Sequence, residues 1–293
     1  MNAALEIQLI AALTAAGCAI PGVFLLLRKM SMVSDSITHT ILLGIVLAFF
    51  AADDLSSPFL LVGAAIMGPV TVWLTELLTK TKLVSEDSAT GIVFPLLFSI
   101  AVILITKYAG TAHLDTDSVL LGELAFAPFD RMVVFGLDIG AKGLYISGGL
   151  LIINITFVSV YFKELQVVSF DPVLAAVMGF SPTLIHYSLM TAASLTSVGA
   201  FEAVGSVLVT AFMIAPAAAA YLITDDLKKM LFIAVGIGAV SGVLGYHTAM
   251  LLEVSIAGCM ACWTGLFFLG AFLYSLAVKK VKTGRLKKLK KII

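Results

Sequence analysis

LEIQLIAALTAAGCAIPGVFLLL (Leu5 to Leu27), then Arg28 and Lys29, then MSMVSDSITHTILLGIVLAFFAA (Met30 to Ala52): two almost unbroken apolar runs flank a pair of fixed positive charges. A helix rising 1.5 Å per residue needs about 20 apolar residues to cross about 30 Å of hydrocarbon, and both runs reach that length. Lipid offers the backbone no water to bond, so such a run must satisfy its own N–H and C=O groups as a helix. Working outward, charged or turn-forming breaks mark off further spans near Phe59 to Leu78, Ala89 to Ile105, Leu144 to Phe162, Leu184 to Ala200, Val204 to Ile223, Met230 to Leu252 and Ile256 to Val278. Of the 293 residues 60% are hydrophobic and 12% charged, with a mean hydropathy of +1.10, whereas a soluble domain carries roughly 25% charged residues. The expectation is an all-α polytopic membrane protein, with about eight or nine transmembrane helices in residues 1–278 and a basic tail in 279–293.

The formal net charge of +0 hides an asymmetry, because Lys279, Lys280, Lys282, Arg285, Lys287, Lys288, Lys290 and Lys291 crowd the C-terminus. Beside so apolar a core, such a tail points to anionic lipid headgroups and away from nucleic acid. The positive-inside rule makes it cytoplasmic. Alternating spans bring Arg28, Lys29, Lys80, Lys82, Lys163, Lys228 and Lys229 to the same side. The opposite connections then hold Asp53, Asp54 and a long stretch containing Asp115, Asp117 and Glu123, and nine spans put the N-terminus outside. The LTAAGC of Leu13 to Cys18 faintly suggests a lipoprotein or signal-peptide cleavage site. No basic segment precedes it and the apolar run continues to Leu27, which favours a permanent first span.

Ionisable side chains at membrane depth are unfavourable unless paired or functional. Asp35 and His39 stand four residues apart in the second span, which places them on one helix face. A carboxylate and a neutral imidazole so placed can bind a divalent cation such as Mn²⁺, Zn²⁺ or Fe²⁺, and acidification would weaken that binding. They can equally form an Asp–His hydrogen bond that packs two helices together. Two ligands are too few for a closed structural metal site, so no permanently bound cofactor is expected.

Other polar residues point less sharply to chemistry. Asp115, Asp117, Glu123 and Glu202 can serve as acids at the outer mouth of a conduit, or as solvated loop acids. His186, just after Pro182, reads as an interfacial or packing histidine, and His247 and Glu253 as surface residues. Cys259 and Cys262 have CxxC spacing, but Gly, Ala and Ser around them suit close helix packing. The inner connection KELQVVSFDPVLAAVMGFSP, residues 163–182, contains a helix start at Asp171 and Pro172 and a stop at Gly179. It predicts a short cytoplasmic helix able to sit in a groove on a partner. No phosphate loop, HExxH or GxSxG is present, so the chain is not read as an enzyme, and any ATP hydrolysis belongs to another subunit.

These segments resemble the ABC-3 family of metal permeases. LLLRKMSMVSDSITHTILLGI is similar to its second-helix signature, SFDPVLAAVMGFSPTLIHYSLM to its cytoplasmic coupling segment and the following helix, and TSVGAFEAVGSVLVTAFMIAPAAAAYLIT to its most distinctive stretch. EDSATGIVFPLLFSIAVILI and LLGELAFAPFD resemble further family blocks. The resemblance implies the membrane subunit of an ATP-driven importer of manganese, zinc or iron in a bacterial inner membrane. It would pair with a second permease subunit, two cytoplasmic ATPases and an extracytoplasmic metal-binding protein. It assigns the metal to Asp35 and His39, and ATPase coupling to the segment with Phe170, Asp171, Pro172 and Gly179. The cysteine pair departs from the small residues usual there and clouds metal selectivity. Two rivals are an ion-coupled secondary transporter that uses Asp35 and His39 as a relay, and an intramembrane metalloenzyme.

Overall fold

The computed structural model describes residues 3–52, 57, 59–108, 124–134 and 137–289. Ten α-helices follow in chain order: α1 (Ala3–Leu27), α2 (Ser31–Ala52), α3 (Phe59–Thr79), α4 (Glu86–Tyr108), α5 (Lys142–Val160), α6 (Phe162–Phe170), α7 (Pro172–Val177), α8 (Pro182–Ile223), α9 (Leu227–Leu252) and α10 (Ile256–Leu289). Among the described residues, eight helices are long and apolar enough to cross a membrane. The backbone of α10 continues past its apolar part, Ile256–Val278, into the basic tail.

The sequence pattern divides α8 into two spans, and the structure shows how. Gly205 has φ 78° and ψ 163°, a conformation outside the helical region that glycine adopts without a Cβ clash. A straight helix of 42 residues would be about 63 Å long at 1.5 Å per residue. Yet His186 near one end and Tyr221 near the other line the same cavity. The chain therefore reverses at Gly205, and the limbs before and after it run alongside each other. Only the second limb, Ala203–Ile223, is apolar enough to count among the eight spans; the first, which carries the predicted span Leu184 to Ala200, is a helix inside the same bundle.

Helix α1 is the most buried of the spans, with Ile10, Ala11, Ala15, Ala19 and Phe24 fully enclosed by α5, α8 and α9. Small residues make this possible. In lipid no hydrophobic drive separates helix–helix from helix–lipid contact, so association depends on close backbone approach. Gly22 lies on the backbone of Met213, Gly44 crosses Gly63, Gly68 meets Ser194, and Gly245 meets Met260. Hydrogen bonds reinforce these crossings: Asn154 Nδ2 donates to the Gly17 carbonyl at 3.1 Å and to Thr196 Oγ1 at 2.7 Å, and Ser194 Oγ donates to the Ala65 carbonyl at 3.0 Å.

A two-stranded antiparallel hairpin, β1 (Arg131–Val134) and β2 (Leu137–Ala141), precedes α5 and departs from the all-α expectation. Its strands are too short, and their apolar content too mixed, for periodicity to announce them. The hairpin is tied to α1 by an ion pair. Glu6 is buried at 1% exposure and accepts from Arg131 Nη1 at 3.1 Å through both carboxylate oxygens. Breaking a buried pair leaves an uncompensated charge. Arg131→Ala should therefore lower the unfolding free energy by on the order of 2–3 kcal/mol, less than a fully buried pair because the arginine is partly exposed. Thermal unfolding in detergent checks this, and Glu6→Gln should recover part of the loss in the Arg131→Ala background.

Candidate functional site

Helix α2 begins immediately after Arg28, Lys29 and Met30 and is held by its polar residues on two sides. Ser34 Oγ donates to Met213 Sδ at 2.8 Å, Thr38 Oγ1 lies 3.3 Å from Thr210 Oγ1, and Thr40 Oγ1 accepts from Thr71 Oγ1 at 2.8 Å. These contacts bind α2 to α8 and α3. The face carrying Met32, Asp35 and His39 turns away from them, toward α4 and open space. Helical spacing i, i+3, i+7 accounts for the grouping.

Asp35 Oδ1 and His39 Nε2 are 3.7 Å apart, beyond hydrogen-bond length. The imidazole packs against Phe94, with ring centroids 5.1 Å apart, and edge-on to Phe98 at 6.0 Å. The side chains keep 42% (Asp35) and 23% (His39) of their accessible surface, so both remain reachable from one side of the helix. Two ligands each about 2.0–2.2 Å from one ion stand about 3–4 Å apart, and the observed spacing falls in that interval. Among the described residues no group of three or more His, Cys, Asp or Glu converges, so Asp35 and His39 have no third such ligand beside them there.

Asp115, Asp117 and Glu123 lie outside the described residues, as do Asp53 and Asp54. Glu202 belongs to the helical backbone of α8, three residues before the reversal at Gly205; its side chain is outside the description. In the segment 163–182, Asp171 Oδ1 accepts from the Val173 and Leu174 N–H groups at 3.0 and 2.9 Å. Pro172 fills the first position of α7, and Gly179, with φ 88°, ends it while Phe180 N–H bonds back to the Ala175 carbonyl. Phe170 at the end of α6 and Val173 and Val177 of the short, well-capped α7 are all well exposed, giving an apolar surface. The three cysteines are free thiols, Cys18 buried and Cys262 exposed. His247 and Glu253 are exposed, as the pattern suggests.

A second polar cluster, not apparent from the sequence pattern, centres on Glu76 of α3. His186 Nε2 lies 2.9 Å from Glu76 Oε1, Tyr187 Oη donates to Glu76 Oε2 at 2.9 Å, and Lys80 Nζ stands 3.8 Å from Oε2. An acid inside an apolar span was the available signal, but its partners come from α8, more than a hundred residues later. Arg28 lines the same cavity. Burial pushes its guanidinium below the usual range, and the nearby negative charge of Glu76 partly offsets that. Lys228 Nζ lies over the Phe162 ring, 5.6 Å from its centroid, so the start of α9 and the start of α6 share one end of the bundle.

A bundle of membrane-length helices with ionisable side chains set within it defines a polytopic helical membrane protein. More particularly, the chain belongs to the ABC 3 transport family, whose profile matches residues 2–275. It is 44% identical over 280 residues to the manganese transport system membrane protein MntD of Bacillus subtilis (strain 168), covering 94% of this chain and 95% of that one. It is 47% identical over 271 residues to the zinc transport system membrane protein TroD of Treponema pallidum (strain Nichols), covering 92% and 74%. In structure it resembles PsaBC from Streptococcus pneumoniae, solved in complex with a Fab, with a TM-score of 0.76, 28% identity, and coverage of 93% of this chain and 91% of that one.

Proposed function

We propose that this chain is the membrane-spanning subunit of an ATP-driven importer of a divalent transition metal, Mn²⁺, Zn²⁺ or Fe²⁺, in a bacterial inner membrane. Asp35 and His39 carry the ion in transit. The single observation behind this reading is their placement: a carboxylate and an imidazole 3.7 Å apart on a face of α2 that α4 covers only in part, leaving both side chains reachable. A second permease subunit presenting its own pair across that face would supply up to four ligands, enough to strip a hydrated cation and few enough to release it. The transport names borne by MntD and TroD support the cargo class.

The segment containing Phe170, Asp171, Pro172 and Gly179 is the contact to a cytoplasmic ATPase. Its exposed apolar side chains and firm caps support that role. Asp171→Ala removes the cap of α7 and should destabilise that helix by about 1 kcal/mol. Metal-stimulated ATP turnover of the complex should fall several-fold while the unfolding temperature of the bundle stays put. Unchanged turnover in that variant would remove the coupling assignment.

The test of the whole reading is reconstitution of the chain with its ATPase and an extracytoplasmic metal-binding protein in liposomes, followed by uptake of each metal. ATP-dependent accumulation is expected. Accumulation driven by a proton gradient with no ATPase present would replace this proposal with an ion-coupled carrier.

A further inference from the structure

A cavity of about 1010 Å³ opens between the ends of α1 and α3, the start of α8 and the segment around Phe170. Neither Asp35 nor His39 lines it; Phe170 and Pro172 of the proposed ATPase contact form one edge of it, while its basic residues have no part in the transport proposal. Four cations line it, Arg28, Lys29, Lys80 and Lys82, against two carboxylates, Glu76 and Glu86. Glu76 is already engaged by His186, Tyr187 and Lys80, so positive charge remains in excess. The Arg28 Nη1 group is buried and donates to no acceptor among the described residues.

The backbone adds an independent observation. Lys29 and Lys82 have φ of 61° and 60°, the left-handed region that favours glycine. Both sit just beyond a helix end, after α1 and after α3, where a glycine is the unstrained choice. At two places around one cavity the chain carries lysine in a glycine conformation. Strain retained in this way directs attention to what the side chain does.

We propose that this cavity binds the phosphate headgroup of an anionic phospholipid, held by Lys29, Lys82 and Arg28. Free phosphate would satisfy the same cations, but the remaining wall is apolar, including Leu26, Leu27 and Val72, and suits an acyl chain. Basic pockets at the ends of transmembrane helices recognise such headgroups by charge. The inference stands apart from the cargo assignment and does not depend on it.

The experiment places the full-length chain in nanodiscs of phosphatidylcholine, with or without phosphatidylglycerol, and measures its unfolding temperature and the lipids retained in native mass spectrometry. Phosphatidylglycerol should raise the wild-type unfolding temperature by several degrees and remain bound. The double variant Lys29→Gly, Lys82→Gly should match wild type in phosphatidylcholine alone, because glycine relieves the backbone, yet lose most of the phosphatidylglycerol shift. Lys29→Gln, Lys82→Gln should show the same loss. The proposal fails if wild type does not respond to phosphatidylglycerol or if the variants respond equally. It fails also if the glycine variant is destabilised in phosphatidylcholine alone, which would make the lysines helix caps only. A shift reproduced by inorganic phosphate in phosphatidylcholine would assign the site to free phosphate instead. An intact lipid response with weakened co-purification of the ATPase would make the basic rim a protein contact, and the lipid assignment would fall.

Discussion

Metal uptake should fall to background, at least about 100-fold, in cells whose only copy of this permease carries Asp35→Ala together with His39→Ala. Losing a group that merely orients a metal ligand reduces affinity or activity about 10- to 100-fold, so losing two proposed ligands should exceed that. The fold should survive, because the partners that hold α2 in the bundle, Ser34 to Met213 and Thr40 to Thr71, lie on other faces. Asp35 is half exposed and anchors no neighbouring helix through a hydrogen bond of its carboxylate among the described residues. His39→Ala removes an imidazole from Phe94 and Phe98, a contact worth about 1 kcal/mol, which leaves the bundle folded. Asp35→Asn separates charge from size: it keeps the side-chain volume and should still fail to transport. Radiolabelled uptake, normalised to the amount of protein in the membrane, reads the outcome. Normal accumulation in the double variant would remove the site.

The second large effect is structural. Gly22→Ala should prevent assembly of the bundle, since the added Cβ would overlap the Met213 carbonyl oxygen. A flexible side chain could move aside; a backbone carbonyl inside a packed helix cannot. Overpacking ordinarily destabilises by about 1–3 kcal/mol, and a collision with backbone belongs at or above the top of that range. Met213 also accepts the hydroxyl of Ser34, so the displacement would spread from α1 and α8 to the start of α2, one residue before Asp35. Gly236→Ala is the control. Nothing lies within 4 Å of a Cβ at Gly236, and α9 should gain helix propensity there. Detergent-solubilised Gly22→Ala with a wild-type unfolding temperature would contradict the packing at this crossing.

Much of this protein is legible in one dimension because lipid imposes a one-dimensional rule. A helix must be apolar over its full crossing length, so its existence and approximate ends appear as runs, and α1, α2, α3, α9 and α10 follow the predicted spans closely. Capping is equally local: Asp171, Pro172 and Gly179 act within a few residues of one another, and α7 begins and ends where they dictate. The i, i+4 pairing of Asp35 and His39 needs nothing but helix geometry.

Contacts between distant segments obey no such rule. Glu76 could be seen as an acid in an apolar run, but that His186 and Tyr187 would meet it depends on α8 reversing at Gly205 and returning its other end to the same cavity. Glu6 likewise finds Arg131 only because a short hairpin folds back over α1. Periodicity places Asp35 and His39 on one face; which way that face looks was decided by α3 and α8, which hold other sides of α2, and by α4, which packs on His39. The helices, their caps and the shared face of the pair are written in the chain alone, because each follows from neighbours along it. The tertiary structure alone decided the partners, the cavity and the open side, since in lipid these depend on how closely small residues let particular backbones approach.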